Sequence, residues 1–95
     1  MEQDLNRDSL DYLYESILTL KTPGECAAFL SDLCTVQELK AISQRMQVAK
    51  MLSDRVIYDE IRAQTGASTA TISRVNRCLL YGSNGYKTVL ERLEG

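Results

Sequence analysis

An all-α fold of six helices is predicted by three features of this sequence. Apolar residues recur at three- and four-residue spacing, strand-type alternation is absent, and glycine and proline are scarce, at five and one in 95 residues. Each helix has its own justification. Leu10, Leu13, Tyr14, Ile17 and Leu18 fall at i, i+3, i+4, i+7 and i+8, one apolar stripe on a first helix over about 6–20. Thr22-Pro23 is a cap followed by proline at the first helical position. It opens a short helix through Leu33, with Cys26, Phe29, Leu30 and Leu33 on one side.

Thr35 and Glu38 have the spacing of a capping box, in which hydroxyl and carboxylate each bond the other residue's amide. The third helix, about 36–53, is the longest, with Val36, Leu39, Ile42, Met46, Ala49 and Leu52 near one face and Gln44, Arg45, Gln47 and Lys50 on the polar side. A short helix over about 57–64 ends at Gly66, where glycine suits a left-handed closing residue. Ser68 caps a fifth helix that runs to about Leu80. The turn-rich segment "YGSNGY" breaks it, and a last helix over about 86–94 carries Tyr86, Val89, Leu90 and Leu93.

Length implies one domain over residues 1–95, and one this small buries a limited share of its apolar surface alone. A chain so rich in apolar helix is therefore expected to pair with a copy of itself. No apolar run approaches the roughly 18 residues of a membrane span, so no membrane partner is expected. The acidic, polar start "MEQDLNRDSL" does not read as a signal peptide. Cys26, Cys34 and Cys78 show no CxxC spacing and read as reduced thiols of a cytoplasmic protein. The sequence has no histidine, which removes the commonest metal ligand and catalytic base; no metal site is expected. Nor is there a nucleophile–base pairing or a glycine-rich phosphate loop, so an enzyme is not expected.

The net charge of −2 conceals an asymmetry. Residues 1–38 sum to −6 and residues 39–95 to +4. The cationic part contains "GASTATISRVNRCL" (66–79), which has the parts of a helix-turn-helix, about 57–80 in all. Ile57 and Ile61 are expected to rest the first helix on the core, and Gly66 makes the turn. Ile72, Val75 and Leu79 form the inner stripe of the second helix. Ser68, Thr69, Ala70 and Ser73 leave its leading end slim enough to enter a major groove. Thr69, Ala70 and Ser73 are placed to meet base edges, while Arg62, Thr71, Arg74 and Arg77 are placed for phosphates. Amides at the capped end, with the helix dipole, suit a phosphate. Long bidentate side chains are missing at 69, 70 and 73, so water-mediated and shape-dependent readout would carry more of the specificity.

These residues carry a resemblance. "GASTATISR" (66–74) resembles the recognition segment of the Trp repressor superfamily. The capped helix beginning "TVQEL" and the order of helices match as well. "YGSNGYKTVLERL" (81–93) looks like the C-terminal part of the YerC/YecD group of Trp-repressor-like proteins. The resemblance covers roughly residues 10–93 and implies an intertwined homodimer of six-helix subunits, with a helix-turn-helix head at each end. It also implies a double-stranded DNA partner and two heads about one helical turn, roughly 34 Å, apart. No resident cofactor is required, but tryptophan or another small-molecule corepressor is implied. Thr35, Arg45 and Arg74 match the family's effector-pocket positions. Val75 stands where the family repressor has glycine, and would fill the pocket; Cys78 stands where it has serine. The function expected is a sequence-specific DNA-binding transcriptional regulator, a repressor in its family setting. The alternative is a helical homodimer that serves protein–protein interaction without binding DNA.

Overall fold

Asn6 starts the first helix. In the computed structural model, which describes residues 6–95, its side chain accepts from the amides of Asp8 (2.8 Å) and Ser9 (3.3 Å). The reading of residues 1–5 as part of a start that is no signal peptide lies outside the described residues. Helix α1 then runs Arg7–Leu18, and Thr19 closes it with its hydroxyl on the Ser16 carbonyl at 2.7 Å. Thr22 caps α2, Pro23–Leu33, by accepting from the Glu25 amide at 3.0 Å. The Glu25 carboxylate reaches back to accept from the Lys21 amide at 2.8 Å, so two amides at this end find local partners. Helix α3, Val36–Ser53, starts directly after Thr35. Helices α4 (Tyr58–Thr65), α5 (Thr69–Tyr81) and α6 (Gly85–Glu94) follow, and no strand occurs among the described residues. None of the helices is long and apolar enough to cross a membrane.

The chain divides after Val36 into two compact units. In the first unit neither α1 nor α2 contains a buried residue. The stripe read from α1 is present, but Tyr14, Ile17 and Leu18 are exposed, Leu18 by 82%. An amphipathic helix earns its stability by covering its apolar face, and this face is uncovered in the single chain.

The second unit has a closed core. Val48 and Ala49 of α3, Ile61 of α4, Ala67 of the following turn, Ile72 and Val75 of α5 and Leu90 of α6 form one buried cluster. Met46, Met51, Leu52, Val56, Tyr58, Leu79 and Tyr86 pack around it. The single face expected along α3 is corrected here. Val36 and Ile42 near its start are exposed, while Val48 and Ala49 near its end are fully buried. The apolar arc turns around the helix, and Val48, outside the expected stripe, becomes a central core residue. The role of Ile57 is corrected too. It lies before α4 at the cap position and is 69% exposed, whereas Val56 and Tyr58 on either side pack on the core.

Two residues in left-handed backbone frame α4. Arg55 (φ 64°) ends α3: its amide donates to the Leu52 carbonyl, and the Val56 amide donates to the Met51 carbonyl, both at 3.0 Å. This is the Schellman closure, which glycine favours. Gly66 (φ 75°) ends α4, with its amide on the Arg62 carbonyl at 2.9 Å. The same conformation therefore holds an unfavourable residue at one end and a favourable one at the other. Opposite stability changes should result. Arg55→Gly should raise, and Gly66→Ala should lower, the unfolding free energy by about 1 kcal/mol each. A Cβ at position 66 meets nothing within 4 Å, so the loss there would come from the backbone alone. Urea unfolding of the two variants checks both signs.

Candidate nucleic-acid interface

The turn between α4 and α5 is fixed from three directions. Thr65 donates its hydroxyl to the Ile61 carbonyl (2.7 Å) and accepts from the Ala67 amide (3.1 Å), so one side chain bridges both sides of Gly66. Ala67 is 3% exposed and anchors the turn in the core. Gln44, from α3, donates its side-chain amide to the Thr65 carbonyl at 3.1 Å. Sequence reading placed Gln44 on the polar face of α3 without a role. It is half-buried and braces the turn, a position that its spacing alone did not signal.

Ser68 begins α5 in extended backbone, and its hydroxyl accepts from the Thr71 amide at 3.1 Å. The same hydroxyl donates to the Thr71 hydroxyl, also at 3.1 Å. These two side chains, read as outward contacts, are thus engaged with each other in capping the helix. Thr69 and Ala70 follow, both exposed. Ile72 (0% exposed) and Val75 (1%) fix the rotation of α5 about its own axis. With 3.6 residues per turn, that rotation puts Ala70, Arg74 and Arg77 on the opposite side, with Thr69 and Ser73 on the flanks. Arg74 and Arg77 are exposed and Ser73 is half-buried. The leading end is slim, and the cations lie behind it along the helix.

The cations differ in how they are held. Neither Arg74 nor Arg77 is in an ion pair among the described residues, whereas Arg62 on α4 pairs with Asp59 at 2.5 Å. On the same helix Gln64 donates to Glu60 at 2.8 Å. Lys50 of α3 lies 3.0 Å from Asp54 and 3.8 Å from Glu94 of α6. The hydrogen bond to Asp54, then its charge, holds the Lys50 ammonium above its ordinary pKa.

The residues read as an effector set are distributed over both units. Thr35 belongs to the first unit. Arg45 on α3 is half-buried, and Arg74 and Cys78 on α5 are exposed. Cys78 lines an open, mainly apolar groove of about 540 Å³ with Met46, Gly82, Ser83, Gly85, Tyr86 and Val89. Val75, expected to fill the effector pocket, has its side chain in the core cluster beneath α5. No group of acidic and cysteine side chains suited to a metal ion occurs among the described residues.

This succession of helices can be compared with known proteins. The Trp repressor protein family model matches residues 8–94. The chain belongs to the Trp repressor family. Within that family it is 49% identical over 90 residues to the uncharacterised protein YerC of Bacillus subtilis (strain 168), a match that covers 95% of this chain and 86% of YerC. Two solved structures share the fold. One is a candidate Trp repressor from Staphylococcus aureus, with a TM-score of 0.89 and 47% identity, covering 94% of this chain and 89% of that one. The other is a TrpR-like protein from Eubacterium eligens ATCC 27750, with a TM-score of 0.90 and 47% identity, covering 98% and 96%. The six-helix reading and the family resemblance both stand.

The bracing of the turn is open to measurement. Gln44→Ala should cost about 1 kcal/mol of stability, the net worth of one hydrogen bond. It should also accelerate amide exchange around Gly66 and Ala67 more than around Leu90. Equal protection at these sites in the variant and the parent would contradict the bracing role.

Proposed function

We propose that this protein is a sequence-specific, double-stranded-DNA-binding transcriptional regulator, a repressor acting in the cytoplasm as a homodimer. The observation that carries the reading is the construction of α5. Its inner side is fully committed to the core through Ile72 and Val75. Its outer side opens with Thr69 and Ala70 and continues with Arg74 and Arg77, neither of which is in an ion pair among the described residues. A helix with short residues at its capped end and cations along its flank fits a major groove bordered by phosphates. The +4 charge of residues 39–95 favours that approach despite the chain's net −2. Membership of the Trp repressor family supports the same reading.

Pairing is supported by the apolar faces left uncovered in one chain. Ile17, Leu18, Leu33, Val36, Val89 and Leu93 are each at least 44% exposed. Apolar exposure on this scale marks an interaction surface. Two copies related by a twofold axis would present two heads to half-sites about one helical turn apart, roughly 34 Å.

A corepressor is a further element of the proposal. Arg45 and Arg74 would stack on a planar ring, tryptophan or another small aromatic, with Cys78 on the same helix as Arg74. The −6 charge of residues 1–38 favours a second reading, a dimer that docks basic protein partners and leaves DNA alone.

Selection of bound fragments from a duplex library separates the two readings, since only the first expects an enriched, near-palindromic sequence. On that duplex, affinity should fall steeply with salt. Arg74→Ala should weaken binding to selected and random duplexes alike and reduce the salt slope by about 1. Binding that is flat with salt contradicts the DNA reading. Calorimetric titration with tryptophan should give saturable heat that Arg45→Ala abolishes; absence of heat at millimolar ligand would remove tryptophan as the effector.

A further inference from the structure

Helices α4 and α5 treat their outward polar groups in opposite ways. On α5, Arg74 and Arg77 are exposed and outside any ion pair among the described residues. On α4 the long polar side chains bond within their own helix: Arg62 to Asp59 at 2.5 Å, and Gln64 to Glu60 at 2.8 Å. The two carboxylates occupy the first turn, where the helix dipole favours them. No side chain caps this end, since the cap position is held by Ile57. The end of α4 that would otherwise attract a phosphate thus carries two negative charges, and Arg62, one turn along, is already occupied.

Resting on the DNA-binding reading, we infer that Asp59 sets duplex affinity by withholding Arg62 from phosphate. Docking is then carried by α5, and α4 contributes core packing through Ile61 but little phosphate affinity. The consequence is selectivity. Phosphate contacts strengthen binding to every sequence equally, so suppressing one of them lowers non-specific affinity without touching the base-facing positions Thr69, Ala70 and Ser73. Asp59 is 81% and Arg62 50% exposed at the side chain. Such a pair is weak, so its removal disturbs the fold little and leaves the Arg62 guanidinium available to a phosphate.

A double-mutant cycle tests this on the intact protein, with a selected and a random duplex as probes and helix content by circular dichroism as the folding control. Asp59→Asn should tighten binding to both duplexes by about fivefold, the scale of one freed surface cation. It should also steepen the dependence of log affinity on log salt by roughly 0.9, one added phosphate contact. Arg62→Ala alone should change affinity by less than about twofold, yet cancel the gain when added to Asp59→Asn. If the parent binds and Arg74→Ala weakens it, but Asp59→Asn changes neither affinity nor slope, this inference fails and the DNA reading survives. A gain that persists in Asp59→Asn/Arg62→Ala overturns the withholding of Arg62. A parent that binds no duplex at any salt overturns both.

Discussion

The burial of Ile72 and Val75 against Val48, Ala49 and Ile61 is the constraint on which the second unit depends. Each branched side chain contributes about 1.5–3 kcal/mol when removed from water. More important for function, β-branched residues at i and i+3 leave α5 little freedom to roll about its axis. Fixing that roll decides which residues face outward. The leading threonine and alanine and the trailing arginines owe their exposure to what lies beneath them rather than to preferences of their own. Ala67 and the Thr65 bridge then fix the angle at which α5 leaves the turn.

Helix α3 links the two halves of the chain's chemistry. Its end supplies the floor of the core through Val48 and Ala49, and Gln44 extends to the turn. Its start, with Val36 and Ile42, remains uncovered, as do the stripes of α1 and α2. One chain therefore closes a core around its helix-turn-helix and leaves its other apolar faces open. In the proposed dimer a second copy would cover them. The charge division follows the same line, acid in residues 1–38 and base beyond.

Much of this was legible in the sequence because local chemistry dictates it. Thr22-Pro23 and Ser68 set helix starts, and Gly66 sets a stop; the approximate bounds expected for α2 and α3 agree with those observed. Three features were not legible, each for a physical reason. Val48 hides because the apolar arc of α3 turns between its start and its end, so no single periodic stripe includes it. Ile57 misleads because an apolar residue beside a helix start looks like core, whereas extended backbone at the cap points it to solvent. Gln44 depends on the position of Thr65, 21 residues away, and spacing carries no information about such a partner. The slim end at Thr69 and Ala70 is visible from residue size, whereas the bond of Arg62 to Asp59 is one rotamer among several that their i,i+3 spacing allows.

The central claim is that α5, held by its buried side, presents its capped end to duplex DNA. Amide chemical-shift mapping of the isotopically labelled protein, titrated with a library-selected duplex at low salt, tests it most directly. The account predicts the largest shifts at Ser68–Arg74, smaller ones at Arg77, and little change across the first turn of α4. Shifts concentrated on α1 and α2, or none at saturating duplex, would contradict it.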